Sequence, residues 1–146
     1  MIDIKLDDLY PLMIESFNEN LKFEFPINGT SMRPLLTKGD SVTIKKIEDV
    51  KVGDIILYKR LNGQFILHRL RKIKNESYSF VGDHQTKIEE NIKYDMLIGT
   101  LISYKHKNKI HNLKSIRYKI YKKMVKIKFI RWLFSKLSWL KRKNIQ

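Results

Sequence analysis

The chain has 146 residues, with 30 Lys and Arg against 15 Asp and Glu, and no cysteine. That length holds one compact domain with at most an appendage, and the missing cysteines exclude a disulfide scaffold, a thiolate zinc site and a cysteine nucleophile. The charge is divided unevenly: residues 1–95 carry 15 basic and 15 acidic side chains, whereas residues 96–146 carry 15 basic ones and no acid. A neutral body with a cationic tail follows, and an apolar content of 42% is enough to give that body a core.

The N-terminus is acidic and lacks the positive start and apolar run of a secretory signal. No 18 apolar residues run together, so no spanning helix is expected. The protein is therefore expected to be cytoplasmic or peripherally associated with the cell membrane. Asp7 or Asp8 caps a first helix with Pro11 in its first turn; Leu9, Leu12, Met13 and Phe17 share one face, and Asn18 to Asn20 end it. Leu21, Phe23 and Phe25 alternate with polar residues and predict a strand. Asn28 to Ser31 is a turn. Four strand-like runs follow: Ser41–Ile44, Ile55–Tyr58, Phe65–Leu70 after the Asn62-Gly63 hairpin signal, and Ser77–Val81. Leu97–Tyr104, around Gly99, is the last. Closely spaced strands without helices between them predict a mainly β, antiparallel, partly closed domain. The division is an N-terminal helix over 1–20, a β domain over 21–111 and a helical tail over 112–146.

In the tail the apolar period becomes 3.6. Ile116, Ile120, Met124, Ile127, Ile130, Phe134 and Leu137 recur at helical spacing, with lysines on much of the opposite side. One basic amphipathic helix is expected, with Trp132 and Trp139 near its end. Three uses compete: a face packed on the body, an anchor on an anionic membrane surface, and a nucleic-acid contact. The membrane reading is preferred, through Lys122, Lys126, Arg131, Trp132, Phe134 and Trp139, because aromatic and cationic side chains suit the headgroup boundary. Nucleic acid is disfavoured, since a face of large apolar side chains gains nothing against phosphates.

Chemistry concentrates at Ser31, in Gly29-Thr30-Ser31-Met32-Arg33-Pro34. A serine just after a glycine, in a turn leaving a strand, is exposed and lies beside backbone N–H groups. The N–H of Ser31, with Thr30 or Gly29 close by, is the expected oxyanion site, and Met32 and Pro34 are expected in the substrate pocket. A serine nucleophile needs a base, and His68, among the apolar residues of its strand, is the candidate. Asp83 is the first choice to orient it, with Glu89, Glu90 and Asp95 further acids.

Gly-Thr-Ser-Met-Arg-Pro-Leu-Leu (29–36) with Gly39-Asp40, then Val52 to Tyr58, Leu67-His68-Arg69, Gly82-Asp83 and Gly99, resembles the signal peptidase I family of serine endopeptidases. The resemblance covers roughly residues 21–104, and that family shares its catalytic fold with the LexA-type and phage-repressor self-cleaving domains. It implies that Ser31 is the nucleophile and that the base comes from the strand of His68. Most bacterial signal peptidases and the repressors place a lysine there; His68-Arg69 is similar to the archaeal, endoplasmic-reticulum and sporulation-type branch. In that branch an aspartate about six residues after the Gly-Asp pair completes the catalytic group. The matching position holds Glu89, so the third member is Asp83 or Glu89. The resemblance further implies a peptide or protein substrate with small side chains before the scissile bond, such as the signal or leader peptide of a secreted or modified peptide, and no metal or cofactor. Two other readings compete: an inactive peptide-binding module of the same fold, and a nucleic-acid-binding regulator, which would lack room for an N-terminal helix-turn-helix.

Overall fold

The computed structural model describes residues 5–143, with residues 138, 139 and 141–143 described by backbone alone. Helix α1 (Leu6–Asn18) buries Met13 and Phe17. Asp7 and Asp8 lie in its first turn, where they complement the helix dipole; the cap position is Lys5, without a side-chain bond, and Pro11 sits inside the helix.

Eight antiparallel strands follow: β1 (Phe23–Pro26), β2 (Ser41–Lys46), β3 (Ile55–Lys59), β4 (Phe65–Lys74), β5 (Ser77–Val81), β6 (Glu89–Lys93), β7 (Leu97–His106) and β8 (Lys109–Asn112). Their order is β1-β2-β7-β3-β4-β5-β6, with β8 added to β7. The mainly β, antiparallel expectation agrees with this, but the ladder runs from β1 to β6 without closing, because among the described residues β1 pairs β2 alone and β6 pairs β5 alone. Register shifts at Thr43/Ile44, Leu57/Tyr58, Leu70/Lys72 and Tyr78/Phe80 bend the strands instead.

β3 divides the interior. Ile55 and Leu57 point into one cluster with Met13, Phe17, Met32 and Leu36. Ile56 and Tyr58 point into a second with Leu70, Phe80 and Ile92. The period of two along β3 therefore serves two cores, which is why all four residues are buried. Gly99 lets β7 approach closely: a Cβ there would stand 2.8 Å from Ile44 and 3.2 Å from Phe17.

The tail differs from the single helix expected. β8 precedes it, and it is divided into α2 (Ile116–Met124) and α3 (Lys128–Lys143). Ser115 caps α2 by accepting from the Tyr118 N–H. At the break, Arg131 Nη1 donates to the carbonyls of Val125 (2.8 Å) and Lys126 (3.2 Å), groups that a helix end leaves without partners. Arg131 is consequently buried at 2% exposure, which removes it from the expected membrane contacts. Lys126 and Trp132 are exposed, Lys122 and Phe134 are half-buried, and the Trp139 side chain lies outside the described ones.

Candidate functional site

Beyond β1, Asn28, Gly29 and Thr30 are exposed, and the turn that follows carries Ser31. Arg33 N–H donates to the Thr30 carbonyl at 3.2 Å and Leu36 N–H to the Met32 carbonyl at 3.0 Å. Met32 and Leu36 are buried in the first cluster, so the turn is anchored from below while Ser31 stays half-exposed. From behind, Gly82 packs against it. A Cβ at Gly82 would stand 2.5 Å from the Ser31 carbonyl oxygen and 3.1 Å from its Cβ. The His84 N–H donates to that same carbonyl at 2.9 Å. The loop after β5 thus holds the serine turn in place, and only glycine fits at 82.

His68 stands on β4, whose hairpin with β3 places Ile56 opposite it and Tyr58 opposite Ile66. Tyr58 and His68 therefore share a face. The imidazole is 5% exposed. Burial pushes its pKa down to about 4, while the Glu89 charge works in the opposite direction, so His68 is neutral at physiological pH. Tyr58 donates its O–H to Glu89 Oε2 at 2.7 Å. Its oxygen lies 3.4 Å from His68 Nδ1. A phenol has one proton, and here it goes to the carboxylate; the Tyr58 oxygen can then only accept, which favours a proton on Nδ1 and leaves Nε2 as the basic nitrogen. Arg60 grips Glu89 through Nε (2.7 Å) and Nη2 (2.8 Å), and these bonds hold the Glu89 carboxyl below its ordinary pKa.

Ser31 and His68 line one cleft of about 440 Å³. Its walls are mostly apolar, with Leu6, Leu9, Phe25, Leu57 and Phe65 among them, an environment suited to the side chains of an extended peptide. Gly29 and Met32 also line it, whereas Thr30 does not. Pro34, expected in the substrate pocket, lies elsewhere: it is exposed and borders a recess with Leu35, Tyr104 and Tyr121. His68 reaches a second recess too, with Arg60, His84, Lys87, Glu89 and Ser135.

Asp83 has partners other than the expected one. Both its oxygens accept from Arg69, Nε to Oδ1 and Nη2 to Oδ2, each at 2.7 Å. Tyr121 adds its O–H to Oδ2 at 2.9 Å. Arg69 Nη1 donates in turn to the Gly53 carbonyl (2.8 Å) and the Tyr118 hydroxyl (2.9 Å). Asp83 and Arg69 are buried. A carboxylate so engaged acts on His68 through its charge alone; the acid that reaches His68 by contact is Glu89, through Tyr58. The other Gly-Asp pairs are turn devices, since Asp40 accepts from the Thr37 N–H and Asp54 from the Lys51 N–H.

Sequence reasoning passed over Tyr58, Arg60, Tyr118 and Tyr121. Tyr58 was recoverable: a hairpin centred on Asn62 sets 56 opposite 68, and alternation then brings 58 to the same face. Tyr118 and Tyr121 carried no such signal, because contacts between the tail and β4 are not local.

The family model described as Peptidase S24-like matches residues 3–101 of the chain, from α1 into β7. No curated protein matches it.

Proposed function

We propose that the chain, which belongs to the Peptidase S24-like family, is a serine endopeptidase that cleaves signal or leader peptides of secreted or modified peptides. The observation that carries this reading is the cleft that Ser31 shares with a buried, neutral histidine, walled by apolar side chains. His68 Nε2 takes the proton of Ser31 Oγ as Oγ attacks the scissile carbonyl carbon. The oxyanion so formed meets the N–H of Ser31, with Gly29 beside it in the cleft. The imidazolium then gives its proton to the leaving amine, and water releases the acyl group by the same route in reverse. While His68 is charged, the Glu89 carboxylate stabilises it across the Tyr58 oxygen.

The test is cleavage of a mixed synthetic peptide library by the full chain beside Ser31→Ala and His68→Ala. Product from the unmodified chain, with losses on the order of 10⁴-fold in each variant, supports the reading and identifies the residues preferred before the scissile bond. Equal turnover by all three overturns it. Binding of library peptides without cleavage by any of the three assigns the cleft to a peptide-binding module instead.

A further inference from the structure

The tail docks on the catalytic domain with an unexpected face. Tyr118 in α2 and Val125 at its C-terminal cap are buried, and Tyr118 and Tyr121 hold the Arg69–Asp83 pair through their hydroxyls. Among the described side chains of α3 the buried one is Arg131, whose Nε donates to the Gln85 carbonyl at 3.3 Å. Apart from Val125, the inward-facing groups are thus polar or aromatic. Ile116, Ile120 and Met124, one turn apart on α2, face solvent, as do Phe129, Trp132 and Leu137 on α3; all six are between 42% and 77% exposed. Had packing on the body been the main use of this apolar stripe, burial would have turned it inward. Such a concentration of exposed large apolar side chains marks a surface that meets another phase or partner.

We propose that this outer face of α2 and α3 lies on an anionic lipid bilayer, with the inner face remaining on the catalytic domain. Charge selects the occupant. Lys119, Lys123, Lys126, Lys128 and Lys136 are exposed beside the apolar side chains, and no acid follows Asp95. Apolar side chains with lysines at their margin fit the headgroup boundary, where the lysine stems lie along hydrocarbon and the ammonium groups reach lipid phosphate. Nucleic acid would engage the lysines and leave the apolar side chains in water. The mode is peripheral, because no described helix is long and apolar enough to cross a membrane. Arg131 bonds α3 to the Gln85 carbonyl, and Ser135 lines the recess that His68 also reaches, so the docked tail stays on the His68 side of the body. This inference stands independently of the peptidase reading, since it concerns binding alone.

Both tryptophans of the chain are in the tail, so fluorescence reports on it directly. The full chain carrying Trp139→Phe, with Trp132 as its single tryptophan, is mixed with vesicles of phosphatidylcholine containing phosphatidylglycerol, and with phosphatidylcholine alone. The expected result is co-sedimentation with the anionic vesicles, a blue-shifted Trp132 emission, and release by added salt. Ile120→Glu with Phe129→Glu, both at exposed positions, should weaken binding at least about tenfold without altering the thermal unfolding midpoint. The proposal is overturned if the protein stays in the supernatant, if neutral and anionic vesicles bind equally, or if the glutamate variant binds as well as its parent. It is overturned equally if duplex DNA is bound with unchanged affinity by the glutamate variant while vesicles are not.

Discussion

His68 and Arg69 are neighbours on β4 and face opposite sides of the sheet, and each is linked to a carboxylate. On the Arg69 side the partner is Asp83, buried, with both oxygens on one guanidinium and a tyrosine hydroxyl added. On the His68 side the partner is Glu89, half-exposed, gripped by Arg60 and one hydroxyl removed from the imidazole. The first arrangement holds two permanent charges together and joins β4, the β5–β6 loop and α2. The second leaves a group able to change its protonation, with a charge near enough to stabilise the imidazolium and no direct ion pair to hold it charged in the resting state. Which acid can lie beside the imidazole depends on what else each acid must neutralise.

Breaking the Arg69 side should have the largest effect. Asp83→Asn leaves a buried guanidinium without its counter-charge, and the unfolding free energy should fall by about 3–5 kcal/mol in denaturant titration. A loss below about 1 kcal/mol would show that the pair is not what holds these elements together. The His68 side should announce itself through pH. Its folded pKa, about 4, lies below the ordinary 6.5, so the unfolded chain binds the extra proton between these values. The associated stability is complete above pH 6.5 and declines as pH falls towards 4, by at most about 3 kcal/mol. His68→Gln should flatten that decline in chemical unfolding measured across the range; an unaltered slope would assign it to other groups.

Glu89→Gln tests the contact between acid and base. Because the Glu89 charge raises the His68 pKa against burial, its removal should move the acid limb of the kcat/KM profile to lower pH. The rate should fall about tenfold, equivalent to ~1.4 kcal/mol. A limb that stays in place breaks the proposed link through Tyr58. The smallest effect belongs to the outer edge of the buried network. Tyr121→Phe removes one hydroxyl from Asp83, while the Arg69 bonds remain. Thermal unfolding should register a loss of about 1 kcal/mol, and a neutral result would mean that the Tyr121 hydroxyl does not help to hold α2, leaving the Arg69–Tyr118 bond and packing.

Strands with a local signal were legible. Apolar runs beside turn signals gave β5 its observed bounds and most of β2, β3, β4 and β7, and the Asn62-Gly63 turn aligned β3 with β4. β6 and β8 were missed for different reasons. In β6 only Ile92 is buried, so no alternation marks it. β8 follows a two-residue turn in which Lys107 and Asn108 both have positive φ, without the glycine that usually signals such a turn. Ser31 and His68 were legible from motif and strand pattern, and the structure places both in one cleft. Glu89 was visible as a candidate, but its connection through Tyr58 required the register of four strands, β3 to β6.

The amino-acid sequence alone determined the division into a neutral β body and a cationic amphipathic tail, since charge and apolar period are properties of the local chain. It also specified the serine turn and the histidine strand, whose residue types carry their chemistry with them. Tertiary structure decided which carboxylate pairs with Arg69 and which lies beside His68, that Arg131 is buried, and that α2 turns Tyr118 and Tyr121 inward and Ile116 and Ile120 outward. Each of these depends on a competition among distant partners for the same charged group or the same buried space. The buried guanidinium of Arg69 takes Asp83 and the Tyr118 hydroxyl as partners, Tyr121 completes the bonds of Asp83, and these contacts turn that face of α2 inward.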